Sequence, residues 1–330
     1  MLDKGHEVVG IDDLSRPGTD YNLSWLRQND DRFRFFLADV SSYDDLCDIF
    51  AAHRDAACVI HEAGQVAVTT SVRNPLLDFR TNALGTLNTL EAARRFCPDA
   101  AFLFASTNKV YGELAHLQTV EEASRYRYSS APHGVSESAP LDFHSPYGCS
   151  KGCADQYVRD YSRIYGLKTV VFRQSCIYGT RQLGLEDQGW VAWFTIAGLL
   201  DLGLTVYGDG KQVRDVLWID DLIDAYDHAI QSIDRVAGQI FNIGGGPDNT
   251  LSILELLDLL RQHVNPRLSV RYDGWRPGDQ KVYISDITKA RSELRWAPRV
   301  GPYEGILRLI DWIRGSAPAI CDLLPEVPAR

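Results

Sequence analysis

Short, uninterrupted apolar runs, each closed by a polar residue, constrain this chain more than any other feature. Val8-Val9-Gly10-Ile11 ends at Asp12, Arg34-Phe35-Phe36-Leu37 leads to Asp39, and Ala57-Cys58-Val59-Ile60 ends at His61. Ala101-Phe102-Leu103-Phe104-Ala105 ends at Ser106-Thr107, and Thr169-Val170-Val171-Phe172-Arg173 leads to Ser175-Cys176. Runs that are apolar throughout, rather than at every second position, belong to strands covered on both faces. Between them lie helical stretches, among them 46–52 and 83–96, the latter preceded by Asn82. Strands alternating with helices specify an α/β chain with a doubly wound parallel sheet.

After Gly179 the alternation loosens. A helix is expected over 190–200, a sharp turn over 206–210, strand then helix over 213–230, a strand over 239–243, and helices over 252–263 and 303–314. The expected division is a Rossmann-like dinucleotide-binding domain of residues 1–176 and 217–243, with a smaller substrate domain of residues 177–216 and 244–330. The polar, aromatic segment 114–144 is expected to be a functional loop, as loops of that length commonly are. Residues 1–7 read as the last turn of a helix capped by Gly5. A Rossmann-like domain opens with a strand and a Gly-rich turn that hold a pyrophosphate at a helix N-terminus. Neither precedes residue 1, so the expectation is a chain that lacks both and binds a dinucleotide weakly.

With 44 acidic against 34 basic residues the net charge is −10, which leaves no positive field for nucleic acid or an anionic membrane surface. An anionic ligand must therefore be held by local arginines. The seven cysteines are scattered without metal-ligand spacing, which argues for a reducing compartment and against a disulfide framework or metal centre. The first twenty residues lack the apolar core of a signal peptide, and no run is long enough to span a bilayer. A cytoplasmic, soluble protein is expected.

In an open parallel sheet, ligands bind beyond the carboxyl ends of the strands. Asp12, Asp39, Ala63-Gly64-Gln65, Ser106-Thr107 and Ser175-Cys176 should therefore line one crevice. The stretch Ser145-Pro146-Tyr147-Gly148-Cys149-Ser150-Lys151 adds a helix start, with Ser145 as N-cap and Pro146 in the first turn. Apolar positions at helical spacing then run to Ile164, and Gly166 stops the helix. Tyr147 and Lys151, four apart, share a face of that helix. An ammonium beside a phenol favours the phenolate and makes a proton shuttle. Taken alone, a Tyr and a Lys at this spacing are commonplace. Asp12, at the end of an early strand, suits ribose hydroxyls and repels a 2′-phosphate, which favours NAD over NADP; the bland reading is a turn aspartate.

In order along the chain, Ser106 to Gly112 with Thr107, Tyr147-x-x-x-Lys151, Arg173-Gln174-Ser175-Cys176-Ile177-Tyr178-Gly179 and Tyr207 to Asp215 resemble the extended short-chain dehydrogenase/reductase family, whose members act on nucleotide sugars. The resemblance covers essentially the whole chain. A narrower resemblance, to the CDP-paratose 2-epimerase (CDP-tyvelose epimerase) branch, rests on residues 63–71, 106–112, 141–152 and Asp187-Gln188-Gly189-Trp190. It implies NAD as cofactor, a CDP-dideoxyhexose as substrate and inversion at carbon 2 by oxidation, rotation and re-reduction. Thr107, Tyr147 and Lys151 are the implied catalytic residues. Asp12, Asp39, Val40, Ala63, Gly64, Gln65, Asn82, Ser106 and Ser175, with Tyr147 and Lys151, are the implied cofactor contacts. Thr107, Cys176, Gln188, Arg214 and Arg276 are the implied substrate contacts, and a homo-oligomer is implied.

Two departures stand out. Glu62 sits where related chains usually carry an apolar residue, and nothing in the sequence accounts for it. Asn108 and Lys109 follow Thr107, where a 4,6-dehydratase needs an acid–base pair, so water elimination is excluded on chemistry. A UDP-hexose 4-epimerase, or an NAD-binding sensor without turnover, remains as an alternative. Arg214 and Arg276 could equally be surface salt bridges. Trp190, Trp193 and Trp218 read as core, His61 and His144 as structural, and Cys176 as a packed thiol.

Overall fold

The computed structural model describes residues 1–276 and 278–323. Its central sheet is parallel throughout. The strand Ala101–Thr107 pairs along its full length with Lys168–Gln174, so that Thr107 lies beside Gln174. Cys58–His61 flanks it on one side and Gln239–Ile243 completes the order on the other. Every residue of Ala101–Thr107 is buried, which explains why this segment is apolar at consecutive positions. Val8–Asp12 and Phe33–Leu37 form a separate parallel pair, joined to no other strand among the described residues.

Helices cover both faces, as a doubly wound sheet requires. Tyr43–Ala52, Gly85–Phe96 and Ser145–Tyr165 bury Leu46, Leu90, Ala154 and Val158 against Phe102, Phe104 and Val171. Ile219–Gln231 buries Leu222, Ala225 and Tyr226 against Leu103, Val170, Phe172 and Phe241 on the opposite face. Each fully buried Leu or Phe contributes about 1.5–3 kcal/mol of transfer free energy.

A second core gathers Trp190–Leu199, Ile253–His263 and Pro302–Leu323 around Leu256, Leu260, Ile306 and Ile310. Trp193 and Trp218 are buried in it, and Trp190 packs against it, as core rather than exposed platforms. The strand Val213–Trp218 serves both cores. Val216 and Trp218 face the second, Leu217 the first, so an assigned break between residues 216 and 217 falls inside one strand.

Several elements differ from expectation. The helix expected to start at 83 belongs to a longer stack. Pro75–Phe79, capped by the Asn74 side chain accepting from Leu77 N, runs through a π-helical turn, Arg80–Leu84, into Gly85–Phe96. Asn82 is thus interior to the stack, and buried, rather than preceding a helix. Residues 114–144 contain an antiparallel hairpin, Thr119–Glu121 with Tyr126–Tyr128. The last helix extends well past 314, and the short strands Leu204–Tyr207, Thr250–Ser252, Val270–Asp273 and Val282–Tyr283 were not expected. No helix among the described residues is long and apolar enough to cross a membrane.

Candidate active site

The helix Ser145–Tyr165 carries Tyr147 and Lys151 over the carboxyl end of Ala101–Thr107. Gly166, left-handed at φ 71°, ends it as expected. Its start is less regular. Ser145 falls inside the first turn at φ 66°, a strained conformation for a non-glycine residue, while its hydroxyl still accepts from Gly148 N at 3.3 Å. The capping bond is there; the N-cap position belongs to His144.

Thr107, Tyr147 and Lys151 converge, each 9% exposed or less. The Thr107 hydroxyl accepts from Lys109 N at 3.2 Å and lowers the pKa of Tyr147 beside it. Ser71 Oγ accepts from Tyr147 N at 3.1 Å, fixing the first turn of the helix. One electrostatic expectation is corrected here. Lys151 does not lower the Tyr147 pKa: burial raises it, and the opposing pull comes from Thr107. Lys151 Nζ turns instead to the Ala105 carbonyl at 2.6 Å and lies 4.3 Å from the Phe104 ring centroid. Burial lowers its pKa to about 8, against the pull of Glu62, Asp155 and Asp78.

Beneath the triad lies a buried polar scaffold that the sequence did not reveal. Asp155, one turn beyond Lys151, accepts from Arg173 Nε at 2.9 Å and Nη2 at 3.0 Å, and from Ser106 Oγ at 2.7 Å. Arg173 also donates to Tyr111 Oη at 3.1 Å, and Tyr111 to Asn242. Ser106 therefore has its hydroxyl committed to the scaffold.

Asn82 braces the turn after Cys58–His61. Its amide donates to the Gln65 carbonyl at 3.0 Å, Asp78 at 3.1 Å and Ser150 at 3.0 Å, and its oxygen accepts from Gln65 N at 2.9 Å. The π-helical turn directs this side chain inward, a use typical of such turns at functional sites. Gly64 cannot gain a side chain cheaply, since a Cβ there would lie 3.0 Å from Asn82 Oδ1 and 3.8 Å from Lys151 Nζ. Gln65 Oε1 is buried without a partner.

The remaining assigned positions fall into three places. Asp12 and Asp39 end the first two strands and close local turns, accepting from Leu14 N at 2.7 Å and Ser41 N at 2.8 Å, with Val40 buried beside them. Ser175 donates to both the side chain and the carbonyl of buried Asp215. Cys176 accepts from Trp190 Nε1 at 3.4 Å, and burial raises its pKa, as suits a packed thiol. Gln188 accepts from Arg16, which ties the segment before Trp190–Leu199 to the turn after Val8–Asp12. Arg214 is buried and paired with Asp279 at 2.6 Å, so its salt bridge is not a surface one. Arg276 has no ion pair among the described residues; it stacks 3.9 Å over the Tyr207 ring and donates to the Glu186 carbonyl.

His61 is structural, as expected. Thr86 Oγ1 donates to the Asn82 carbonyl, so it accepts from His61 Nε2 at 2.9 Å, and burial lowers the imidazole pKa to about 3. His144, half-exposed, faces Glu113 at 3.4 Å. No metal-ligating cluster occurs among the described residues.

A parallel α/β sheet with a Thr–Tyr–Lys set at its carboxyl end defines a short-chain dehydrogenase/reductase-type enzyme. The chain belongs to the GDP-mannose 4,6 dehydratase family of NAD-dependent epimerases and dehydratases, which matches residues 1–309. It is 43% identical to a CDP-paratose 2-epimerase of Salmonella typhi over 316 residues, 94% of this chain and 93% of that protein. A Thermus thermophilus UDP-glucose 4-epimerase, solved in complex with NAD, superposes with a TM-score of 0.79 at 30% identity, covering 96% of this chain and 93% of that one. A Streptomyces venezuelae dTDP-glucose 4,6-dehydratase, solved with NAD, gives 0.79 at 28% identity, covering 95% and 89%.

Proposed function

We propose that this enzyme epimerises carbon 2 of a CDP-linked dideoxyhexose, interconverting CDP-paratose and CDP-tyvelose with NAD as a retained cofactor. The observation that carries the reading is the Thr107–Tyr147–Lys151 set followed by Asn108 and Lys109. That set moves a hydroxyl proton, and its neighbours supply no carboxylate pair for eliminating water. Similarity to a CDP-paratose 2-epimerase supports the sugar.

The residues present fit a nicotinamide dinucleotide. Gly64 lets backbone approach closely, Gln65 Oε1 is buried without a protein partner, Lys151 Nζ stands beside Gly64, and Asp12 offers a carboxylate to a ribose diol. Ala63, Val40 and Asp39 line the adenosine side; Asn82, Ser106 and Ser175 act by bracing. When bound, NAD supplies the place where the carbon-bound hydrogen is stored and from which it returns.

The chain's own residues do the rest. Thr107 orients the reacting hydroxyl, Tyr147 takes its proton and gives it back, and Lys151 holds a ribose. Arg276, without an ion pair among the described residues and stacked on Tyr207, grips the diphosphate together with Arg214, a guanidinium suited to bidentate contact. Gln188 and Cys176 border the sugar. Residues 1–176 and 217–243 carry the cofactor, and the remainder carries the nucleotide sugar. The enzyme works as a homo-oligomer through the outward faces of Pro75–Phe79 and Ser145–Tyr165, where Leu76, Leu77, Phe79, Tyr157 and Ile164 are exposed.

Incubation with CDP-paratose, CDP-tyvelose and UDP-glucose, followed by proton NMR, tests the reading. Interconversion of the two CDP sugars is expected. Conversion of UDP-glucose to its 4-epimer, with the CDP sugars untouched, would overturn it.

A further inference from the structure

A cavity of about 500 Å³ lies against Gln239–Ile243, the strand that ends the central sheet on the side away from Cys58–His61. Its wall is formed by Arg159 from the helix Ser145–Tyr165, by Arg173, by residues 136–139 with Leu141, and by Lys289. It shares no residue with the Thr107–Tyr147–Lys151 set or with the cofactor and substrate contacts assigned above. A space of that size suits a small organic ligand.

An edge strand leaves outward N–H and C=O groups without a ladder partner. Here side chains occupy them. Glu137 Oε1 accepts from Asn242 N at 2.7 Å, and Lys289 Nζ donates to the Ile240 carbonyl at 2.9 Å and to Gln239 Oε1 at 2.8 Å. That leaves the ammonium one further N–H. Ser136 and Ser138 share one hydrogen bond at 2.7 Å, so one of their two hydroxyl protons stays free. Arg173 is occupied by Asp155 and Tyr111.

Arg159 is the exception. It makes no ion pair and no hydrogen bond among the described residues, so its whole guanidinium fork is free. Other charged groups in crowded places are matched: Glu62 and Asp215 accept from Tyr226 and Ser175, and Arg214 pairs with Asp279. The cations Arg159, Arg173 and Lys289 line the cavity with one carboxylate, Glu137, and Asp155 answers Arg173 from behind. The unmatched charge is therefore that of Arg159. Asp160, next to it in sequence, and Asp286, near Glu137, form no ion pair with it. Arg159 is half-buried; burial lowers its pKa, Arg163 and Arg173 press the same way, and Asp155 pulls back. An anion in the cavity relieves that strain on the charged form.

We propose that this cavity is a second binding site, for a phosphomonoester whose phosphate is gripped by Arg159 in bidentate contact, with the remaining N–H of Lys289 and the free serine hydroxyl as further donors. A planar fork matches two phosphate oxygens, and a group carrying nearly two negative charges suits two neighbouring cations. The rest of the cavity holds what the phosphate is attached to. The site lies outside the epimerase crevice and does not depend on the sugar assignment.

Calorimetric titration of the whole chain with glycerol 3-phosphate, at constant ionic strength and with glycerol as the uncharged control, tests the proposal. Saturable binding of the phosphate ester and none of glycerol are expected. Arg159→Ala should weaken binding by about tenfold or more, the scale of a lost charge-assisted contact. Arg163→Ala, one turn further on and exposed, and Arg276→Ala, in the diphosphate grip, should bind as the wild type does. No saturable binding, an Arg159→Ala variant that binds normally, or equal weakening in Arg163→Ala overturns the proposal. Binding lost in Arg276→Ala and kept in Arg159→Ala would put the phosphate in the nucleotide-sugar crevice and overturn it too. If Arg159→Ala is not recovered folded, Arg159→Gln carries the same expectation.

Discussion

Lys151 Nζ lies 2.6 Å from the Ala105 carbonyl, so the lysine proposed for the active site is anchored to the strand that presents Thr107. A cation is thereby fixed in a site that strips it of water. Its pKa falls from 10.5 to about 8, which corresponds to roughly 3 kcal/mol of unfavourable charge burial at neutral pH. That cost is fully present below pH 8 and is relieved as pH rises through the folded value towards the unfolded one.

Replacing Lys151 with Met should therefore abolish activity and yet raise the thermal midpoint at pH 7. The gain should shrink as pH climbs from 8 to 10. Scanning calorimetry at pH 7 and 9.5 checks this; a lower midpoint at pH 7 would show that the Ala105 bond and the Phe104 contact outweigh desolvation.

Tyr147→Phe should cut turnover by at least about a hundredfold, the usual scale for a positioned acid–base group, with nucleotide-sugar binding nearly unchanged. Because burial raises the Tyr147 pKa, wild-type kcat/KM should climb with pH until Lys151 deprotonates. Steady-state kinetics and calorimetric binding read both; similar turnover in the Phe variant removes Tyr147 from its role.

His61 is held neutral, with its pKa lowered to about 3. The unfolded imidazole binds a proton near 6.5, so stability present at pH 7 is lost progressively as pH falls from 6.5 towards 3. Between pH 7 and 5 this one residue should account for roughly 2 kcal/mol. Urea unfolding of His61→Gln should show a flatter pH dependence over that interval than the wild type.

Ile164 is 66% exposed near the end of the catalytic helix. If this face joins two copies, Ile164→Glu should shift the protein to monomer in light scattering without changing its circular dichroism. A variant with unaltered mass would move the interface elsewhere.

Much of this architecture is written locally. Pro146, the helical spacing and Gly166 specify the catalytic helix, and consecutive burial makes Ala101–Thr107 apolar throughout. The misread helix start at 83 has a local cause as well: a π-helical turn keeps the chain helical while shifting the spacing that marks a helix. The polar scaffold was illegible for a different reason. Arg173 and Asp155 are eighteen residues apart and Glu62 and Tyr226 are separated by 164, so only the sheet brings them together. The Tyr147 expectation failed because spacing placed Lys151 on the right face but could not show the Ala105 carbonyl competing for its ammonium.

The central claim is inversion at carbon 2 by a site whose proton carrier, Tyr147, serves the hydroxyl. Asn108 and Lys109 leave no carboxylate pair beside Thr107 to labilise a carbon-bound proton. The most direct measurement is proton NMR of CDP-paratose incubated with the enzyme in D2O. The expected product is CDP-tyvelose with protium still at carbon 2. Inversion with deuterium at that carbon, or no inversion there at all, would contradict the account.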